Sequence, residues 1–196
     1  MPPGSACVPE AMMPAPAAFA AVLELPTLKI ELLALRITLL RLWKPRAEHY
    51  TALSEAFGLP WPSGPNTAAG GDTRVLWLAP DTWAIVGGEE SASRERAGRA
   101  LGERLHHVSE ISEGRSVFSV RGPLARVLLG KGCSLDLHPS EFGEGCCAQS
   151  LLAQVPVLIE PRAASEPQAS DYRIYADISY TGYLRAWFID AALEYS

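Results

Sequence analysis

The order of hydrophobic periodicities between residues 28 and 111 is the feature that most constrains the fold. From Leu28 the apolar side chains alternate at period two, which favours a bulged strand to about Leu39, although the apolar run as far as Trp43 also permits a helix. The next segments predict a helix at 45–57, strands at 74–78 and 83–86, a helix at 89–105 and a strand at 107–111. Strand, helix, strand, strand, helix, strand is the order of the ferredoxin-like, split βαβ motif.

The second half of the chain is also predicted to contain both strands and helices. A strand is predicted at 116–121, and a short helix begins at Pro123 and is stopped by Gly130. The remaining predictions are strands at 150–153 and 155–160 broken at Pro156, a solvated linker at 162–170, a strand at 172–178 and a helix at 179–195. We therefore expect an α+β fold of two ferredoxin-like, split βαβ subdomains, roughly residues 25–106 and 107–196, after a flexible tail at 1–24 that is rich in Pro and Ala.

Composition excludes several classes of function. The chain has 196 residues, of which 48% are hydrophobic and 20% charged, as in an ordinary globular protein. A formal net charge of -5 without a basic stripe argues against nucleic acid as a partner. The N-terminus has no Lys or Arg before Lys29 and is interrupted by prolines, and no apolar run is long enough to span a bilayer. We expect a cytoplasmic protein whose four cysteines are free thiols.

Candidate chemical groups concentrate in residues 114–149, here called the central segment, GRSVFSVRGPLARVLLGKGCSLDLHPSEFGEGCCAQ. Its cysteines and histidine could in principle bind a metal, but the only close pair, Cys146 and Cys147, is adjacent and lacks the spacing of a zinc knuckle. Its glycines form neither G-x-G-x-x-G nor a P-loop, which disfavours dinucleotide binding. Metal binding and dinucleotide binding are therefore both disfavoured.

A cysteine nucleophile is the other chemical possibility in the central segment. Cys133 would be activated by His138 or Lys131, yet no signature of a cysteine hydrolase surrounds it and free cysteines are often buried, so core packing is favoured. Asp136 and His138 flank Leu137, and we expect them to form a hydrogen-bonded pair that holds the loop.

Aromatic residues offer a different kind of candidate. Trp61 lies between two prolines in a loop at 59–72 that is predicted from its Pro and Gly content. A rigidly held Trp in such a loop is either a core residue or an exposed anchor for a protein interface.

The central segment, continued through SLLAQVPV, resembles the gamma subunit family of heterotetrameric sarcosine oxidases. The resemblance lies in a Gly-Arg strand, a Gly-Pro helix start, Lys-Gly-Cys, Leu-Asp-Leu-His-Pro and Cys-Ala-Gln, and it extends to LWLAPDTW at 76–83 and to the last helix. It covers most of the chain except the tail. The residues that we take as family motif or possible interface are Trp61, Arg115, Lys131, Cys133, Asp136, His138, Cys146 and Gln149.

The resemblance implies a fold similar to the folate-binding aminomethyltransferase of glycine cleavage. It further implies a structural accessory subunit without cofactor or catalytic residues of its own, bound to larger alpha and beta subunits and a small delta subunit. FAD, FMN, NAD and tetrahydrofolate would lie in those partner subunits. The complex would convert sarcosine, oxygen and tetrahydrofolate into glycine, hydrogen peroxide and 5,10-methylenetetrahydrofolate.

Two other functions stay open at this point. The chain could be a freestanding folate-dependent module like the aminomethyltransferase, or a gamma-like subunit of an oxidase for another N-alkylated amino acid. Whether the chain is itself an enzyme therefore also stays open.

Overall fold

The structure, a computed structural model, describes residues 20–164 and 169–195 and shows two antiparallel sheets with helices. The predicted α+β class is confirmed. The strands are β1 Ala20–Leu25, β2 Leu28–Leu33, β3 Ile37–Leu42, β4 Ala68–Gly70, β5 Arg74–Ala79, β6 Thr82–Val86, β7 His106–Glu110, β8 Arg115–Gly122, β9 Ala148–Leu152, β10 Val155–Arg162 and β11 Ser170–Asp177. The helices are α1 Ala47–Phe57, α2 Glu90–Leu101, α3 Ala125–Gly130 and α4 Thr181–Ala191.

The five-stranded sheet has the order β4-β5-β6-β3-β7. Its units β3-α1-β5 and β6-α2-β7 interleave so that β3 lies between β6 and β7, which is the split βαβ arrangement expected from the periodicities. Gly58 ends α1 with φ 68°, as predicted. Helix α2 is shorter than the predicted 89–105, because Gly102, with φ 55°, ends it at Leu101. The short strand β4 lies inside the segment 59–72 that was predicted to be loop.

The six-stranded sheet has the order β1-β2-β8-β11-β10-β9. Here β11 lies between β8 and β10, and β2 pairs with the other side of β8. The sheets therefore divide the chain differently from the predicted subdomains at 25–106 and 107–196, because β2 belongs with the C-terminal strands and β7 with the N-terminal ones.

The two sheets and their helices form four layers. One core fills the space between α1, α2 and the five-stranded sheet, a second lies between the six-stranded sheet and α3 and α4, and a third joins the sheets. Strand β6 shows how the period of two builds this arrangement: Trp83 and Ile85 face the helices, whereas Ala84 and Val86 face the other sheet.

The apolar run from Leu28 forms strands, as favoured, but not one strand. Ala34 to Arg36 separates β2 from β3, and the two strands belong to different sheets. The shift of register that suggested a bulge thus marks a crossing between layers. Residues 20–24 of the predicted tail form most of β1 and pair with β2, while residues 1–19 lie outside the described residues, so their prediction as a tail stays a prediction.

Pro156 does not break its strand. β10 pairs with β9 at Pro156, but its pairing with β11 begins only at Val157, so the missing N–H of the proline removes no ladder hydrogen bond on that side. The turn between β9 and β10 places Ala153 and Gln154 at φ 50° and 70°, the backbone of a tight hairpin.

The last helix is shorter than predicted. Ser179 does not cap it, because the residue at the N-cap of α4 is Tyr180, which makes no side-chain capping hydrogen bond. Asp177 caps the 3₁₀ turn that precedes α4, since its carboxylate accepts a hydrogen bond from the Ser179 N–H at 3.0 Å. Separate 3₁₀ turns precede and follow α4, at Ile178–Tyr180 and Leu193–Tyr195. Among the described residues, no helix is both long enough and apolar enough to cross a membrane.

Candidate functional site

Lys131 joins the central segment to the C-terminal end of α4. Its Nζ donates to the carbonyl oxygen of Ala191, forms an ion pair with Glu194 and lies 4.5 Å from the centroid of the Tyr195 ring. A cation at this position satisfies a carbonyl that the helix leaves unpaired and opposes the negative end of the helix dipole. Glu194 raises the pKa of Lys131, which keeps the amine protonated and makes it an anchor rather than a nucleophile.

Gly132 lets the central segment approach α4 closely. A Cβ at this position would lie 2.6 Å from Cζ2 of Trp187, which is shorter than real contacts, and 3.1 Å from the Ala153 nitrogen, which is tighter than most. Trp187 therefore covers the backbone of the segment directly. The glycine that might have belonged to a phosphate loop is required for packing.

Cys133 is buried, with 8% of its surface exposed, and its thiol lies 3.8 Å from the Ser150 hydroxyl. It lies in the core beneath α3 and α4, in agreement with the favoured interpretation. Neither His138 nor Lys131 forms a hydrogen bond with it among the described residues. The geometry therefore does not form a cysteine–histidine pair.

Asp136 and His138 interact, but not from side chain to side chain. The Asp136 carboxylate accepts a hydrogen bond from the His138 backbone N–H at 2.9 Å, and the His138 ring nitrogen Nδ1 lies 2.8 Å from the Ser140 hydroxyl. The loop is indeed held by this pair of residues, although the expected contact between carboxylate and imidazole is replaced by a local turn. Tyr172 adds a third tie by donating to the Leu137 carbonyl at 3.0 Å.

The end of the central segment crosses to the five-stranded sheet. Cys146 forms an isolated bridge with Thr67, and the Cys147 N–H donates to the Asn66 carbonyl at 2.9 Å. Gln149, on β9, donates from Nε2 to the Leu78 carbonyl at 2.8 Å. These contacts join β9 to β5 and to the segment before β4, so the segment holds the two layers together.

Cys147 is fully buried where the sheets meet, and its thiol lies 3.2 Å from the Thr67 carbonyl oxygen. Burial raises the pKa of this thiol to about 12. A thiol with such a pKa is protonated at neutral pH and is a poor nucleophile or metal ligand.

The backbone of the central segment is already hydrogen-bonded where an anion would have to bind. The N–H groups of Lys131, Gly132 and Cys133 donate to the Leu128 and Leu129 carbonyls within the last turn of α3. Anion cradles need free N–H groups, and these are engaged. Within residues 20–164 and 169–195, no three His, Cys, Asp or Glu side chains lie close enough to hold a metal ion.

Trp61 is a core residue, which decides between the two interpretations that its sequence left open. Only 6% of its surface is exposed, and its ring packs against Phe57 at 5.0 Å and Trp83 at 5.8 Å between centroids. The Trp83 indole N–H donates to the Pro62 carbonyl at 2.8 Å, which ties the proline-flanked loop to the core from inside. Arg115, by contrast, is exposed at the start of β8.

A buried ionic cluster between the sheets was not predicted. Arg74 on β5 donates from Nε to Glu160 on β10 at 2.6 Å, and Tyr175 on β11 donates to the other carboxylate oxygen at 2.6 Å. Arg74 and Glu160 are 3% and 0% exposed. Burial, followed by the charge of Glu160, raises the pKa of Tyr175 and keeps the phenol a donor. The signal in the sequence was a lone acid in the apolar strand VPVLIEP.

Two surface depressions complete the site. One, of about 430 Å³, lies beside Lys131 and Trp187, and the other, of about 330 Å³, lies between the β1–β2 turn and Asp171. Burial raises the pKa of Asp171, one of whose oxygens has no hydrogen-bond partner among the described residues. Both depressions are open at the surface.

The model of the "Sarcosine oxidase, gamma subunit family" matches residues 46–194. The sarcosine oxidase subunit gamma of Corynebacterium sp. (strain U-96) is 34% identical over 154 residues, which cover 78% of this chain and 73% of that relative. The sarcosine oxidase subunit gamma of Arthrobacter sp. is 32% identical with the same coverage.

Solved structures agree with the sequence match. A chain of the heterotetrameric sarcosine oxidase from Corynebacterium sp. U-96, in complex with pyrrole 2-carboxylate, matches with a TM-score of 0.72 and 33% identity over 86% of both chains. The glycine cleavage system aminomethyltransferase T from Bartonella henselae matches with a TM-score of 0.53 over 80% of this chain and 43% of that chain, at 15% identity, which shows a shared fold. By its match to the family model, its identity to named relatives and its structural similarity, the chain belongs to the sarcosine oxidase gamma subunit family.

Proposed function

We propose that this chain is a noncatalytic accessory subunit of a multisubunit sarcosine oxidase. The complex oxidises sarcosine with oxygen, and with tetrahydrofolate it yields glycine, hydrogen peroxide and 5,10-methylenetetrahydrofolate. The chemistry takes place in larger alpha and beta subunits. This chain contributes a folded surface that helps to assemble them.

The observation that carries the proposal is the combined likeness to one chain of a heterotetrameric oxidase, at 33% identity over 86% of both chains. The family model independently matches residues 46–194. A shared fold alone would not select a function, but a family match of this extent selects the subunit.

The contacts of the central segment support a noncatalytic role. Lys131 is paired at the end of α4, the Cys147 thiol is held protonated by burial, and His138 completes a local turn. A catalytic group must be free to meet a substrate at some point in the reaction. These side chains are engaged in holding the fold.

The partners and cofactors follow from the family. We infer that the chain binds larger alpha and beta subunits and a small delta subunit, and that FAD, FMN, NAD and tetrahydrofolate are held by those subunits. The assembled complex is cytoplasmic.

Co-expression tests the proposal directly. The chain, carrying an affinity tag, is expressed with the alpha, beta and delta subunits from the same source, and the purified material is weighed by native mass spectrometry. We expect one copy of each chain, flavin absorbance and oxidation of sarcosine with release of hydrogen peroxide. Stoichiometric flavin on the lone chain, or failure to bind the larger chains, would overturn the proposal.

Two further measurements address the other functions. Calorimetry of the lone chain with tetrahydrofolate should show no binding, whereas micromolar binding would favour a freestanding transfer module. Assays of the complex with sarcosine and with other N-alkylated amino acids should show the highest kcat/KM for sarcosine. A higher value for another N-alkylated amino acid would assign the chain to a related oxidase.

A further inference from the structure

The depression of about 330 Å³, here called the sheet-end cavity, lies where the β1–β2 turn meets the end of β8 and the start of β11. Gly122 brings these elements together, because a Cβ at this position would lie 2.4 Å from the carbonyl oxygen of Thr27. The Leu124 N–H donates to the same carbonyl at 3.2 Å. The turn is therefore fixed against the end of β8, and it forms one wall of a cavity whose volume is that of a small-molecule pocket.

A row of charged residues crosses the six-stranded sheet at this end. Its members are cross-strand neighbours on one face of β2, β8, β11 and β10, namely Lys29, Arg121, Asp171 and Arg162. Opposite charges at such positions normally pair. Arg121 pairs instead with Glu31, and Arg162 with Glu160 at 3.3 Å. Asp171 therefore lies between two arginines whose ion pairs, among the described residues, are made with other carboxylates.

Asp171 lines the sheet-end cavity and has an unmet need for a donor. One of its carboxylate oxygens is buried and has no hydrogen-bond partner among the described residues. A buried oxygen in this condition costs free energy. Burial also raises the pKa of this carboxyl, even though the charges of neighbouring arginines oppose the change, so the solvation of its charge is incomplete. A ligand that donates to Asp171 would supply what this carboxylate lacks.

The charges that line the cavity have both signs. Lys29 and Arg121 share the carboxylate of Glu31, so two cations face one buried anion and a second carboxylate can approach them. Glu24 also pairs with Lys29, but its side chain is 67% exposed, so water screens its charge. Asp171 and Arg121 are direct cross-strand neighbours, with Cβ atoms roughly 5 Å apart. Their charged groups can therefore contact the two ends of one small molecule.

The unmet group selects the positive end of that molecule. A single carboxylate suits an ammonium group better than a metal ion, because hard cations take several oxygen ligands. The two cations suit a carboxylate. An ammonium and a carboxylate on neighbouring carbon atoms are the two charged groups of an α-amino acid.

We propose that the sheet-end cavity binds a small α-amino acid as a zwitterion, with its ammonium group on Asp171 and its carboxylate on Arg121 and Lys29. The apolar part of the wall, which includes Leu25 and Pro123, leaves room for a small side chain or an N-methyl group. Such a site goes beyond the proposed function, which gives this chain no ligand of its own.

Titration with four small probes tests the charge pattern. The full chain is titrated separately with glycine, sarcosine, acetate and methylamine, and binding is followed by ligand-detected NMR. We expect the two amino acids to bind with a Kd of about 1 mM or tighter, and acetate and methylamine at least about tenfold more weakly, because each of these carries only one charge. Equal affinity for glycine and methylamine would overturn the zwitterion, and no binding of either amino acid would overturn the site.

Variants of the wall test the role of each charged group. Asp171→Asn preserves the shape of the side chain but removes its charge, so the Kd for glycine should rise at least about tenfold. Asp190→Asn is the matched control, because Asp190 lies on α4 outside the cavity wall and its variant should bind glycine as wild type does. Arg121→Gln should weaken the binding of glycine and acetate but not that of methylamine. Thermal unfolding shows that each variant is folded. Equal affinity of wild type and Asp171→Asn would overturn the assignment.

Amide chemical shifts locate the ligand on the chain. In ¹⁵N-labelled protein, glycine should shift the amide signals of Thr27, Gly122 and Ser170, which line the cavity, and leave that of Arg94 on α2 unchanged. Shifts confined to residues outside the wall would overturn the site. Binding is measured on the chain alone, so it is independent of assembly with larger subunits, whose failure would overturn the proposed function instead.

Discussion

The central segment and the outward side of α4 differ in what their side chains contact. Lys131 of the central segment binds the end of α4, Cys133 lies in the core and Cys147 lies where the sheets meet. On the outward side of α4, by contrast, 40% of the Ile189 surface is exposed. The cysteines at 133 and 147 therefore belong to the internal framework of this chain, whereas an apolar side chain of α4 lies at its surface.

The largest expected effect comes from the buried ionic cluster, which lies beside the central segment between the sheets. Replacing Arg74 by Met leaves the Glu160 carboxylate buried without its main cation, so the free energy of unfolding should fall by about 3–5 kcal/mol. Urea unfolding measures this change. The double variant Arg74→Met with Glu160→Leu should recover much of the loss, because it removes both charges. A loss below about 1 kcal/mol in the single variant would mean that water reaches the carboxylate.

A smaller effect is expected where the central segment meets α4. Gly132→Ala places a methyl group 2.6 Å from Trp187, and the required shift should cost about 1–3 kcal/mol in the free energy of unfolding. Gly130→Ala is the matched control, because nothing lies within 4 Å of its added Cβ and alanine favours the helix. Denaturant unfolding of both variants gives the comparison. Equal stability of the two would contradict the close approach of Trp187.

The next effect is a pH dependence that belongs to Cys147. Its pKa is raised from 9.0 to about 12, so between these values the unfolded chain loses a proton that the folded chain keeps. The stabilisation is complete below pH 9 and declines as the pH rises, by about 1.4 kcal/mol per pH unit at most. Unfolding free energies from pH 8 to 11 should fall more steeply for wild type than for Cys147→Ala. If the free energy of unfolding had the same pH dependence in wild type and in Cys147→Ala, folding would not raise the pKa of this thiol.

The smallest expected effect is on the outward side of α4. Ile189→Ser should lower the free energy of unfolding of the lone chain by no more than about 1 kcal/mol, because 40% of its surface is exposed. Phe188→Ala, one position earlier and fully buried, should cost about 3–5 kcal/mol. Thermal and urea unfolding of the two variants measure both costs. A cost above about 2 kcal/mol for Ile189→Ser would mean that another part of the chain covers this side chain.

Local signals in the sequence predicted much of the fold. Periodicity located β5, β6, α1 and α2, and Gly58 ended α1 as predicted, because hydrogen bonding within a helix or hairpin depends on nearby residues. Two helix ends were wrong, since α2 stops at Leu101 rather than at residue 105 and α3 includes Gly130. The division of the run from Leu28 into β2 and β3 was missed, since both strands are apolar and only their pairing with β8 and β6 separates them. Periodicity therefore did not predict that β2 and β3 belong to different sheets.

The candidate site, like the fold, was predicted only in part from the sequence. The sequence identified the central segment and the family, and it favoured packing over catalysis for Cys133. It did not predict the burial of Trp61, because proline-flanked loops are commonly exposed and the cavity that Phe57 and Trp83 form around this ring comes from other elements.

By itself, the sequence of this protein determined its family, its α+β class and the position of most helices and strands, because these depend on residue types and on neighbours a few positions away. Only the tertiary structure decided which side chains meet across the sheets, as Arg74 and Glu160 do over 86 positions of sequence. It also decided which face of α4 is covered. Burial and pairing of this kind are properties of the packed layers, and local periodicity carries no information about which layer a face will meet.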